Sequence, residues 1–203
     1  PGDTIRLLPG IYTPSNGNAM PILPGGVHLA GFSSTGAVHA ADYVLDGLGI
    51  AENVLLYVDT PVGQDGYLEG LTFTRSAKTA IVANNAKLTL TNCLIKGINS
   101  SDSFAAGVLS INQAVVTANN STFSNLVGRG AAGIEIHTLV SAEFRANGCR
   151  FVGNTSNVGT VYCYFIGEPQ GIIYLTDCLF ENNTASGSPI AWNMHGATAV
   201  WMA

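Results

Sequence analysis

The sequence predicts an all-β fold, a right-handed parallel β-helix with later coils of about 28 residues, and three observations predict it. One short phrase is written four times: Thr91-Asn92-Cys93-Leu94-Ile95, Asn119-Asn120-Ser121-Thr122-Phe123, Asn147-Gly148-Cys149-Arg150-Phe151 and Thr176-Asp177-Cys178-Leu179-Phe180. Its closing apolar residue is Ile95, Phe123, Phe151 and Phe180 in turn, an interval constant to within one position, so each copy is one unit stacked on the last. The local pattern alternates, as in Leu88-Thr89-Leu90-Thr91 and Ile172-Ile173-Tyr174-Leu175, and the breaks are Gly, Asn and Ser. Composition is the third: 47% hydrophobic but only 10% charged, against roughly 25% in ordinary globular proteins, with 24 Gly to supply corners. Coils of two or three short strands that return about 4.8 Å further along satisfy all three.

In chain order, Pro1-Gly2-Asp3-Thr4-Ile5-Arg6-Leu7-Leu8-Pro9-Gly10-Ile11-Tyr12 is a turn, a strand and a second turn. Further phrases follow at Pro21 to Phe32, Tyr43 to Gly47, Leu55-Leu56-Tyr57-Val58 and Leu68 to Phe73. Between them, Thr13 to Ala19 and Ser33 to Asp42 are rich in small and polar residues and read as surface loops. Residues 60–66 read as a turn before Tyr67. The reading is one domain over 1–203, with irregular coils over 1–67 and regular ones over 68–203. At Thr198-Ala199-Val200-Trp201 a further coil opens, and the chain starts at Pro1 without a signal peptide. A segment truncated at both ends is therefore expected, with flanking domains of the same chain or self-association covering the open ends.

The opening phrases "PGDTI", "LLPGIY", "GGVHLAGF", "LDG" and "LEGLTF" resemble the first coils of the pectin-lyase-like, right-handed parallel β-helix superfamily. In those relatives a short capping helix usually precedes the first phrase, and here it is absent. The later Cys149 to Asn154 and Cys178 to Ala185 resemble the repeats of bacterial surface β-helix proteins such as polymorphic outer-membrane adhesins. The resemblance implies architecture strongly and activity hardly at all.

Read as chemistry, the columns divide. Cys93, Cys149 and Cys178 occupy one column with Ser121 between the first two, while Cys163 lies in another strand. Parallel stacking keeps neighbouring Cβ atoms about 4.8 Å apart, beyond ordinary disulfide geometry, so reduced thiols used as small core fillers are expected. Neither CxxC nor HxxxH spacing occurs, which argues against zinc. Asn125, Asn154 and the pair Asn182-Asn183 read as an amide ladder at one corner. Five sequons, at Asn99, Asn119, Asn120, Asn154 and Asn182, overlap that corner or its neighbours.

The strand after the Gly corner is the candidate ligand site. Aligning Val108, Ile134, Val161 and Ile190 inward sends Glu135, His137, Tyr162, Tyr164 and Asn193 to the opposite face. Aromatic rings beside a carboxylate, an imidazole and an amide suit stacking and hydrogen bonding to sugars; the plainer explanation is that Tyr favours strands. For catalysis, the superfamily's lyases use an Arg or Lys base beside Ca²⁺-binding acids, and its hydrolases use clustered Asp. Here the acids are scattered, and the weak catalytic candidates are Asp102, Arg129 and His137, with Ca²⁺ as cofactor only for a lyase. Arg150 should point out alone. Ice binding by a Thr array fails because Thr72 and Thr89 are separated by less than one coil and so fall off the period.

The expectation is a non-catalytic extracellular or cell-surface module, structural or adhesive, with a polysaccharide or glycoprotein surface as its partner. A polysaccharide lyase or glycoside hydrolase fragment is the alternative. A net charge of −5 with 8 Lys and Arg argues against nucleic acid, and no apolar run is long enough to insert this segment into a membrane.

Overall fold

The computed structural model describes residues 2–14, 21–34, 36, 38–58, 64–100, 105–138, 142–165, 171–186, 190–193 and 198–202, with backbone alone at 137–138, 163–165, 171, 190–193 and 198–202. The chain is a parallel β-solenoid of about 28 residues per turn in its later windings, and among the described residues the strands pair in parallel throughout. Its first sheet has eight strands: Asp3–Leu7, Val27–Gly31, Asp65–Glu69, Lys87–Thr91, Val115–Asn119, Ala142–Asn147, Gly171–Thr176 and Thr198–Met202. The second stacks Gly10–Tyr12, Tyr43–Asp46, Thr72–Thr74, Leu94–Lys96, Thr122–Ser124, Arg150–Val152 and Leu179–Glu181. Ile22–Pro24, Asn53–Val58, Thr79–Asn84, Val108–Ile111, Ala131–Thr138, Gly159–Phe165 and Ile190–Asn193 make the third. A narrow ladder of Val127–Gly128, Thr155–Ser156 and Thr184–Ala185 joins the second to the third in the later coils. Among the described residues the helical content is one 3-10 turn, Ala40–Asp42.

The repeated phrase is the corner between the first two sheets. Asn92, Asn120, Gly148 and Asp177 all adopt left-handed backbone, with φ of 53°, 47°, 60° and 52°, which is why Asn, Asp and Gly fill that column. The chain turns there in one residue and re-enters a strand with its apolar side chain inward. Ile95, Phe123, Phe151 and Phe180 are consecutive register partners inside the tube. The column extends back to Phe73 and Leu45. Around it the core is continuous: Leu68, Leu90, Ala118 and Ala146 from the first sheet face Ile81, Val108, Ile134 and Val161 from the third. Ile5, stacked under Leu29 in the first winding, is 45% exposed, so the sealed core begins one winding later.

Three readings need correction. Asp65 and Gly66 belong to a strand rather than to the turn expected over 60–66, because they pair with Lys87 and Leu88; 59–63 lie outside the described residues. Gly10–Tyr12, expected within the second turn of the opening phrase, is a strand, because it pairs with Tyr43, Val44 and Leu45. Asn125 stands apart from the amide ladder. It takes the second left-handed corner with Gly97, Gly153 and Asn182, while Asn154 and Asn183 occupy the next position and make the ladder. That next position faces inward, and Asn154 is fully buried, which excludes its sequon from modification in the folded chain.

Candidate functional site

The expected column on the third sheet forms in register. Glu135 pairs with Tyr162, His137 with Tyr164, and Tyr164 with Asn193. A bulge between Ala131 and Ile134 sets two residues, Ala132 and Gly133, opposite the single Thr160. The column is nevertheless covered where its side chains are described: Glu135 is 2% and Tyr162 8% exposed. Tyr162 packs with Ala105, Ala131 and Val158 in a small cluster outside the main core, and Glu135 Oε2 accepts the Ala131 N–H at 3.4 Å. Both point away from the tube, as alternation requires, yet they meet protein rather than solvent. The side chains of His137, Tyr164 and Asn193 lie outside the described residues, as does the whole of Asp102. Arg129 is exposed beyond Val127–Gly128.

The Cys column holds free thiols at Cys93, Cys149 and Cys178, each hydrogen-bonded to a carbonyl of the preceding winding: Leu68 O at 3.4 Å, Ala118 O at 3.3 Å and Ala146 O at 3.5 Å. Ser121 keeps the pattern with oxygen, accepting the Cys93 N–H at 3.1 Å. Burial pushes the Cys93 thiol up to about 12. Cys149 and Cys178 perturb each other: the Cys149 side chain favours the Cys178 thiolate, holding it down to about 7, and Cys149 is itself raised by that neighbour and by burial. Cys163 contributes only backbone to the description, in register with Ile136.

Charged side chains are tied between windings. Lys87 Nζ lies 2.8 Å from Asp65, whose hydrogen bond raises its pKa; Arg75 grips the buried carboxylate of Asp46 from the coil above; and Arg150 meets Glu181 at 4.0 Å, so it does not stand alone. Within one strand Arg145 binds Glu143 and lays its guanidinium 4.4 Å from the centre of the Tyr174 ring. Among the described residues no group of three or more His, Cys, Asp or Glu gathers to hold a metal ion. No described helix is long and apolar enough to cross a membrane.

The open surface is elsewhere, on the outward face of the first sheet. Register stacks Thr4, His28, Tyr67, Thr89, Thr117, Arg145 and Tyr174 in one outward column. A parallel column holds Arg6, Ala30, Glu69, Thr91, Asn119 and Asn147, and there the Asn147 amide donates to the Asn119 oxygen at 2.9 Å. Between the two columns a cleft of ≈ 340 Å³ is lined by Thr4, His28, Ala30, Tyr67, Glu69 and Thr91. The His28 and Tyr67 rings meet edge to face, centroids 4.6 Å apart and planes at 68°. Sequence reading identified these strands but not the stack, because the early windings differ in length: His28 to Tyr67 takes more chain than a regular winding, and Tyr67 to Thr89 takes less.

Comparison with protein-family models, with curated proteins and with solved structures finds no match to this chain.

Proposed function

We propose that the chain is a non-catalytic structural and adhesive module of an extracellular or cell-surface protein, with a polysaccharide as its ligand. We place it in the pectin-lyase-like right-handed parallel β-helix superfamily, nearest in style to bacterial surface repeat proteins, on the phrases quoted above. The observation that carries the functional reading is the use made of polar side chains. Asp46, Asp65 and Glu181 each face a cation of a neighbouring winding, and Asn154 and Asn183 bond the backbone of the winding before. Acid–base cleavage of a glycosidic bond needs two carboxylates flanking one bond, whereas these groups clamp coil to coil and stiffen a rod. A rod with one broad open polar and aromatic face suits display and adhesion.

Incubation with acidic and neutral polysaccharides, with and without Ca²⁺, tests the reading. Neither unsaturated products nor new reducing ends are expected, while a glycan array should report binding. Product release that disappears in Arg129→Ala or Glu135→Ala would replace this reading with a lyase or hydrolase.

A further inference from the structure

We propose that the His28–Tyr67 cleft is a receptor for a guanidinium group, the side chain of an arginine carried by a basic segment of a partner polypeptide. This site is independent of the glycan reading above.

The fold supplies its own precedent on the same face. Arg145 binds the Glu143 carboxylate and lays its guanidinium 4.4 Å from the centre of the Tyr174 ring. Glu143 stands two residues before Arg145 on one strand, and Tyr174 is stacked on Arg145 from the next winding. A carboxylate and a tyrosine ring thus hold one planar cation between them on this surface. In the early windings Tyr67 and Glu69 repeat the ring and the acid. They stand two residues apart on one strand, so both point outward, about 7 Å from each other along it. Tyr67 is 40% exposed, and its edge-to-face contact with His28, centroids 4.6 Å apart, fixes the ring in place.

Partnering selects the sign of the ligand. Asp46, Glu52, Asp65, Glu143 and Glu181 each face a cation of this chain. Glu69 is exposed at the cleft and has no basic partner among the described residues; Lys and Arg are not among the residues lining it. The nearby cations are turned elsewhere, Lys87 to Asp65 at 2.8 Å and Arg6 over the Phe32 ring at 5.3 Å. A chain of net charge −5 draws a basic partner towards such a carboxylate.

Size and hydrogen bonding select the group. At ≈ 340 Å³ the cleft is at the small end of ligand sites, roughly 300–1,000 Å³, so it takes the head of one side chain rather than a long segment. A guanidinium is flat enough to lie on the Tyr67 ring while its fork of N–H donors meets Glu69. Its remaining N–H groups find acceptors in the Thr4 and Thr91 hydroxyls. The ammonium of lysine is compact and more strongly hydrated, and gains less from the ring.

The test titrates the intact chain by calorimetry, at millimolar ligand, with capped peptides in which one arginine sits between glycines and with the same peptides carrying lysine or citrulline instead. The arginine peptide should bind, the lysine peptide about tenfold more weakly, and the uncharged citrulline peptide not measurably. Tyr67→Ala and Glu69→Gln should each weaken arginine binding about tenfold with unchanged far-UV circular dichroism. Tyr67→Phe, which keeps the ring, and Thr117→Ala, two windings further along the column, should leave it unchanged. Arginine binding that survives both Tyr67→Ala and Glu69→Gln would overturn the site. Equal binding of arginine and citrulline would overturn the cationic class, and equal binding of arginine and lysine the guanidinium. Self-association in sedimentation velocity that is lost in Tyr67→Ala and in Arg129→Ala would replace the partner with a second copy, since Arg129 is exposed. Absence of binding to every peptide would defeat the proposal while leaving the glycan assays to decide their own question.

Discussion

Phe123 and Phe151, one winding apart in the chain, lie face to face with ring centroids 4.9 Å apart and planes within 8°, and Phe180 continues the stack at 4.6 Å. Phe151 is fully buried between two rings that are themselves fixed by strand register, so a cavity there cannot collapse without breaking pairing on both sides. Phe151→Ala should destabilise the fold by about 3–5 kcal/mol, read as a lowered urea midpoint, whereas Phe151→Leu should cost clearly less. Equal midpoints for the two variants would show that the stack is not rigid.

Asn154 bonds two backbone groups of the preceding winding. Its Oδ1 accepts the Leu126 N–H at 3.1 Å, and its Nδ2 donates to Phe123 O at 3.0 Å, both buried. Asn154→Ala removes the partner of a buried donor and of a buried acceptor and should cost about 2–4 kcal/mol. Asn154→Asp keeps the acceptor but points a carboxylate at a carbonyl. Burial raises that carboxyl's pKa, so the variant should be least stable at neutral pH and regain stability as pH falls and the group becomes a donor again. A midpoint independent of pH would contradict this account.

The repeat made the inward architecture legible because identical spacing places identical residues in one column. Ile95, Phe123, Phe151 and Phe180, and the left-handed turns before them, follow from period and residue type alone. Asn125 and Asn154 show the limit: a shift of one position separates a corner that needs left-handed backbone from an inward column that needs amide bonds. Alternation likewise says which side of a strand Glu135 and Tyr162 take, but not what packs over them, and both are buried. The aromatic cleft depended on loop lengths of the irregular early windings, which carry no period, so the meeting of His28 with Tyr67 had no signal in spacing.

Gly107 is required by close approach rather than by backbone sign. A Cβ placed there would stand 2.1 Å from the carbonyl oxygen of Gly133 in the next winding, and that oxygen belongs to the backbone and cannot rotate away. Gly107→Ala should therefore cost at least the roughly 1–3 kcal/mol of an overpacked core, as the two windings are forced apart. Gly10→Ala, whose added Cβ meets nothing within 4 Å, is the control and should leave the urea midpoint unchanged. A Gly107→Ala midpoint equal to that control would refute the clash.

The stacked thiols predict opposite responses to alkali. Cys178, held down to about 7 by the neighbouring Cys149 side chain, is depressed below the ordinary thiol value of about 8.5. Its contribution to stability is therefore full above that ordinary value and is lost as pH falls through about 7. Cys93, pushed up to about 12 by burial, is the reverse: its contribution is full below the ordinary value and disappears as pH rises towards 12. Because the thiolate is the nucleophile, iodoacetamide should label Cys178 first, with a rate that climbs between about pH 6 and 8, while buried Cys93 and Cys149 stay unmodified in the folded chain. Peptide mapping after timed labelling reads this directly, and Cys149→Ala should move the Cys178 profile back towards about 8.5 by removing the neighbouring thiol. Labelling of Cys93 before Cys178, or a Cys178 profile indifferent to Cys149→Ala, would rule out the influence of Cys149 on its neighbour.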